Sequence, residues 1–81
     1  LKIDKALVNS IVTDQDKQRV VKAMVELGHT LGMKVLVEGI ENKNMEDLLV
    51  SFGCDYLQGY YFSKPVPVFE FQKLLYVKEG I

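Results

Sequence analysis

Between two helical patterns lies a run of five residues, 34–38 (Lys-Val-Leu-Val-Glu), apolar at three successive positions. A strand that is apolar continuously rather than alternately is one covered on both faces, and such strands belong to parallel sheets with crossover helices. The rest of the chain orders itself around that run. Residues 1–4 (Leu-Lys-Ile-Asp) read as the end of an earlier strand, and residues 5–12 as a short helical turn. Asp14 or Asp16 then caps a helix through its side-chain oxygen. Val20, Val21, Met24, Leu27, His29 and Leu31 fall mostly on its apolar stripe, Gly28 tolerates close packing, and Gly32 is the natural stop. Beyond the run, Asn42 or Asn44 caps a second helix with Met45, Leu48, Leu49 and Phe52 inside and Gly53 closing it. Residues 56–61 form a third strand candidate. Pro67 suits the first turn of a last helix carrying Phe69, Phe71, Leu74 and Leu75.

Strand and helix therefore alternate three times, which predicts an α/β fold with parallel strands and right-handed crossovers. Periodicity alone leaves two architectures open, an open sheet or a portion of a (β/α)8 barrel. A chain of 81 residues supports one core at most. Its 48% apolar and 26% charged residues are those of a folded soluble body. A net charge of −1, with no long run of like charge, argues against a nucleic-acid polymer or a polybasic membrane patch as partner. Cys54 is the single cysteine, so an internal disulfide is impossible and a zinc site improbable, which fits a reducing cytoplasm. No stretch is long and apolar enough to span a bilayer, and residues 1–4 lack the parts of a signal peptide.

In both architectures working residues gather at the C-terminal ends of the parallel strands. That rule selects Lys2 and Asp4 from the first strand, Glu38 and Glu41 from the second, and Gln58 from the third. A lysine, carboxylates and an amide on one rim have the chemistry to bind a metal and a phosphate. Singly, each is more simply a solvated strand end. Glu38 is the exception, because a carboxylate following a buried strand is costly unless paired or bound to a cation.

Three ordered segments narrow the reading: Leu1-Lys2-Ile3-Asp4, then Val37-Glu38-Gly39-Ile40-Glu41, then the stretch from Gly53-Cys54-Asp55-Tyr56-Leu57-Gln58-Gly59 through Tyr60-Tyr61-Phe62-Ser63-Lys64-Pro65. Together they resemble the last three signature segments of the EAL family, and the resemblance runs from Leu1 to about Leu75. It implies the C-terminal βα units, about three parallel strands with helices, of a TIM-like (β/α)8 barrel that hydrolyses cyclic di-GMP to linear pGpG with two Mg2+ or Mn2+ ions. By that resemblance Lys2 would hold the attacking water or a phosphate oxygen. Asp4 would support the metal site or its water shell, and Glu38 would bind a metal or its water and has the position of a proposed general base. Glu41 would stand behind the ligands, Gln58 would bond the water network, and Tyr60, Phe62 and Pro65 would lie against the substrate.

The sequence departs from the family pattern at Val37, where alanine is usual, at Asn42, where a threonine cap is usual, and at Leu7, where phenylalanine is frequent. The Glu-Ala-Leu motif, the Asn and Glu that follow it and the Asp-Asp-Phe-Gly segment are missing. They lie upstream in a domain of about 250 residues. The expectation is therefore a C-terminal portion of one EAL domain, residues 1–81, inactive alone and accompanied in the parent protein by GGDEF-type or sensory domains. A degenerate domain acting as a non-catalytic cyclic di-GMP receptor or interaction module is the alternative. His29 reads as structural and Cys54 as a small buried hydrophobe, while the aromatic run 60–62 suits core packing or stacking on guanine. Strands cut from a closed barrel leave an open edge and face, which predicts a homodimer or higher oligomer.

Overall fold

The computed structural model describes residues 1–59 and 62–69. Among them the elements are β1 (Lys2–Ile3), α1 (Lys5–Val8), α2 (Gln15–Thr30), β2 (Leu36–Ile40), α3 (Lys43–Ser51), β3 (Tyr56–Gly59) and β4 (Phe62–Pro67). The sheet order is β1-β2-β3-β4. The first three strands are parallel, as the alternation of strand and helix predicts. β4 is an addition: it returns antiparallel beside β3, pairing Leu57 with Val66 and Tyr56 with Pro67. Pro67 is thus the last residue of that strand, directly before the first helical residues, Val68 and Phe69. Phe69, expected to pack in the core, is 76% exposed among the described residues, and the expected packing of Phe71, Leu74 and Leu75 lies outside them.

Local chemistry fixes the helix ends. Of the two candidate caps for α2, Asp14 is the one used, its Oδ1 accepting the Lys17 N–H at 3.1 Å. The helix closes in a Schellman arrangement around left-handed Gly32 (φ +76°), with Met33 N–H donating to Gly28 O and Gly32 N–H to His29 O. For α3 the cap is Asn42, whose Oδ1 accepts the Met45 N–H at 2.9 Å.

β2 is displaced from its predicted span, running from Leu36 to Ile40 instead of over residues 34–38. Its N-terminal flank is spent on other bonds, because the Val35 N–H goes to the Asp55 side chain. At the other end a bulge lets pairing continue past Glu38. Glu38 faces Gln58, and two residues later Ile40 faces Gly59. Gly39, at φ +85°, absorbs the extra residue, since L side chains are disfavoured in that region.

The core lies on one side of the sheet. Ile3, Val37 and Leu57, register neighbours on adjacent strands, are fully buried against Val8 and Ile11, Val21 and Val25 of α2, and Met45 and Leu49 of α3. The opposite face carries Leu36, Glu38, Tyr56 and Gln58, all half-buried. β2 is therefore covered on one face within the described residues, not on both. The α2 seam also differs from the expected stripe. Val21, Val25 and Gly28 face the sheet, whereas Val20, Leu27 and Leu31 are 50%, 58% and 62% exposed. The predicted stripe was too wide for one interface, and the sheet takes its small-residue side.

Candidate functional site

The pleat sends alternate side chains to opposite faces, and the register then decides which of them meet. Lys2 is aligned with Leu36 on β1 and β2, and Glu38 with Gln58 on β2 and β3. Lys2, Glu38 and Gln58 consequently share the sheet face opposite the core, which no helix covers among the described residues. Lys2 Nζ lies 3.1 Å from Glu38 Oε2, with the lysine side chain 67% and the glutamate 22% exposed. A pair this open to water contributes only about 0–1 kcal/mol to folding. Fold stability is a weak reason for placing it there. What the pair offers is an anchored carboxylate beside an ammonium, with a strand-borne amide on the neighbouring strand.

A second group forms at the C-terminal ends of the same strands. A broad cleft of about 790 Å³ is lined by Asp4, Lys5, Ala6 and Asn9 on one side and by Gly39, Ile40, Glu41 and Gly59 on the other. The bulge creates this arrangement. By turning Ile40 into the core, where it is buried, it leaves exposed Glu41 at the rim. Of the residues selected from sequence, Asp4 and Glu41 line the cleft, while Lys2, Glu38 and Gln58 occupy the adjoining sheet face. Pro65 is exposed on β4 and does not line the cleft. Tyr60 lies outside the described residues, and of Phe62 only its strand position opposite Gly59 is described.

Among the described residues no group of three or more His, Cys, Asp or Glu side chains is arranged to hold a metal ion. Among them Glu38 is a single carboxylate on its sheet face, paired with Lys2.

Sequence reasoning missed Asp55. Its Oδ2 lies 2.7 Å from His29 Nε2 and accepts the Val35 N–H at 2.8 Å. Partial burial pushes the Asp55 carboxyl up, but the bonds from His29 and Val35, with the charges of His29 and Lys34, outweigh it and hold it below the ordinary value. His29, read from the sequence as structural, has this carboxylate as its partner. No local signal marks Asp55, because its partners lie 26 and 20 residues away along the chain. Cys54 is buried, and its thiol is pushed up to about 12, chiefly by burial and then by the Asp55 charge.

Known proteins resemble this chain in sequence and in fold. The EAL domain family profile matches residues 1–65. The bifunctional diguanylate cyclase/cyclic di-GMP phosphodiesterase MucR of Pseudomonas aeruginosa is 39% identical over 67 residues, covering 83% of this chain and 10% of MucR. The cyclic di-GMP phosphodiesterase PdeL of Escherichia coli is 35% identical over 80 residues, 99% of this chain and 22% of PdeL. The crystal structure of an EAL domain protein from Listeria monocytogenes superposes with a TM-score of 0.72 at 37% identity, covering 94% of this chain and 31% of that one. The chain thus spans about a tenth to a third of the proteins it matches.

Proposed function

The chain belongs to the EAL domain family, and from that membership we propose that it forms the C-terminal βα portion of a TIM-like barrel hydrolysing cyclic di-GMP to linear pGpG. The observation that carries the reading is the Lys2–Glu38 pair at 3.1 Å, sharing a sheet face with Gln58 on parallel strands. The C-terminal mouth of parallel strands is where barrel enzymes do their chemistry. MucR and PdeL, both named as cyclic di-GMP phosphodiesterases, support it, and nothing in the geometry favours the non-catalytic receptor.

In this reading Lys2 presents a point charge to a phosphate oxygen or the attacking water, Glu38 accepts a proton from that water, and Gln58 orients it through its amide. Asp4 and Glu41, on the cleft rim, supply negative charge behind them. Mg2+ or Mn2+, when bound, activates water and neutralises charge developing on the phosphate. Glu38, supported by Asp4, would provide part of the ligand set, and other segments of a whole EAL domain the remainder. The 81 residues alone are accordingly proposed to be inactive. Accompanying GGDEF-type or sensory domains belong to the same proposal, supported by the bifunctional name of MucR.

The test is Glu38→Ala in a complete EAL domain carrying these residues, assayed for pGpG. Turnover should fall by about 10²–10⁴-fold, the usual contribution of a positioned acid–base group. A variant at wild-type rate would remove Glu38 from the site.

A further inference from the structure

At the end of the sheet opposite the cleft, one residue joins four elements. Asp55 Oδ2 accepts the Val35 N–H, just ahead of β2, and meets His29 Nε2 near the end of α2. Its own N–H and that of Tyr56 donate to Val35 O at 2.9 and 3.0 Å. Its carbonyl accepts the Val68 N–H at 3.1 Å, just past β4. Side chain and backbone of Asp55 therefore close a ring with Val35, and the helix end is tied to the same oxygen.

The position of that ring matters because β2 and β3 are short. They pair over four positions and their register already shifts once, at the Gly39 bulge. A strand slipped by one residue sends every side chain to the other face. Such a slip would put Gln58 among the core residues and Leu57 on the open face. The bulge sits at the far end of the pairing, and a bulge can move with a slipping strand. The Asp55–Val35 ring cannot, since it requires these two residues side by side.

We infer that Asp55 is a positioning residue: its carboxylate, holding Val35 and His29, locks β3 against β2 in the register that sets Gln58 opposite Glu38. The locking is structural. Its importance to turnover rests on the function proposed above. Bonds to an ionised acceptor are the stronger kind, and the low-lying Asp55 carboxyl keeps the acceptor charged at neutral pH.

The experiment follows backbone amide exchange and cross-strand NOEs of β2 and β3 by NMR in the 81-residue chain, comparing wild type with Asp55→Ala, Asp55→Asn and His29→Ala. Asp55→Ala should speed exchange at Val37 and Leu57 by about ten- to a hundredfold, the loss expected for hydrogen bonds to a charged group, and weaken the Leu36–Tyr56 and Glu38–Gln58 NOEs. Exchange at Leu49 in α3 should change far less. Asp55→Asn, which keeps an acceptor for Val35, should restore the NOEs, and His29→Ala should retain them while loosening the end of α2. Equal acceleration of strand and α3 amides in every variant would make Asp55 an ordinary stabilising contact, and unchanged NOEs in Asp55→Ala would show that the bulge alone sets the register. If Asp55→Ala does not fold, Asp55→Asn and His29→Ala still decide: both should keep the Leu36–Tyr56 and Glu38–Gln58 NOEs, and loss of those NOEs in His29→Ala, where the Asp55–Val35 ring is intact, overturns the inference. None of these readouts needs catalysis, so a failed phosphodiesterase assay in the whole domain would bear on the proposed function and leave this result standing.

Discussion

Gly39→Ala should be among the most damaging single-methyl changes this chain can suffer. The added Cβ would stand 2.4 Å from Lys5 Cβ and 3.0 Å from Lys5 Cα, at a φ of +85°. Two costs arise. Holding an L residue in a left-handed conformation costs about 1–2 kcal/mol, and forcing a methyl into a packed site costs about 1–3 kcal/mol more. Because Lys5 Cβ moves only with its backbone and Lys5 Cα stands just behind it at 3.0 Å, relief requires α1 to move as a body. A loss of about 2–5 kcal/mol is a large share of the roughly 4–12 kcal/mol expected for a chain of this length. Urea unfolding followed by circular dichroism measures it, and at about 1 kcal/mol/M the midpoint should drop by about 2 M or more. Gly32→Ala isolates the steric share. Gly32 also has positive φ, +76°, yet no atom lies within 4 Å of its virtual Cβ, so that variant should bear only the conformational cost of about 1–2 kcal/mol. Equal midpoints for the two variants would refute the claim that α1 packs on Gly39, and with it the origin of the cleft wall formed by Asp4, Lys5 and Asn9.

Further outcomes follow from the same geometry. In a whole EAL domain, Lys2→Met should cut pGpG formation by about 10²-fold or more while urea stability changes by less than about 1 kcal/mol; comparable losses of both would make the pair structural. Asp55 has a lowered carboxyl value in the folded chain, so its contribution to stability is present above the unfolded value and is lost as pH falls through the folded one. Unfolding midpoints should therefore decline below the ordinary 3.8 less steeply in Asp55→Asn than in wild type, and identical profiles would contradict the assignment. Cys54, buried with its thiol raised to about 12, should resist alkylation at pH 8 until urea unfolds the chain, and rapid labelling of native protein would show it accessible. Among the described residues no helix covers the sheet face holding Leu36 and Tyr56, so the isolated chain should self-associate in sedimentation equilibrium at micromolar concentration; a stable monomer would show that face to be content in water.

Much of the α/β order was legible because caps and stops act locally. Asp14, Asn42, Gly32 and Gly53 work within a turn of their own positions, and a sequence window contains everything that decides them. Glu38 was legible for a different reason, as a carboxylate beside buried strand residues must be compensated. The displaced β2, the bulge and Asp55 were not legible. Each depends on pairing between segments about twenty residues apart, and no window reveals that the Val35 N–H is taken by a side chain. The antiparallel β4 was hidden by its two prolines, of which Pro67 reads as helix entry when considered alone. Proline is tolerated on an edge strand where its missing donor faces no partner, a condition visible only once the sheet is assembled.

The division of the sheet into two faces explains why the candidate residues stand in two groups. Ile3, Val37 and Leu57 are register neighbours buried against the helices. That register in turn places Lys2, Glu38 and Gln58 on the other face without a single core residue being spent on them. Strict alternation would then have turned Ile40 outward and put residue 39 in the core. The Gly39 bulge reverses this at the last turn of the strand, burying Ile40 and delivering Glu41 to the rim beside Asp4. A charged group on the sheet and a charged rim are thereby obtained from one short segment, Glu38-Gly39-Ile40-Glu41, whose spacing makes sense only with the extra residue. The glycine within it is consequently as much a part of the site as the two carboxylates it separates.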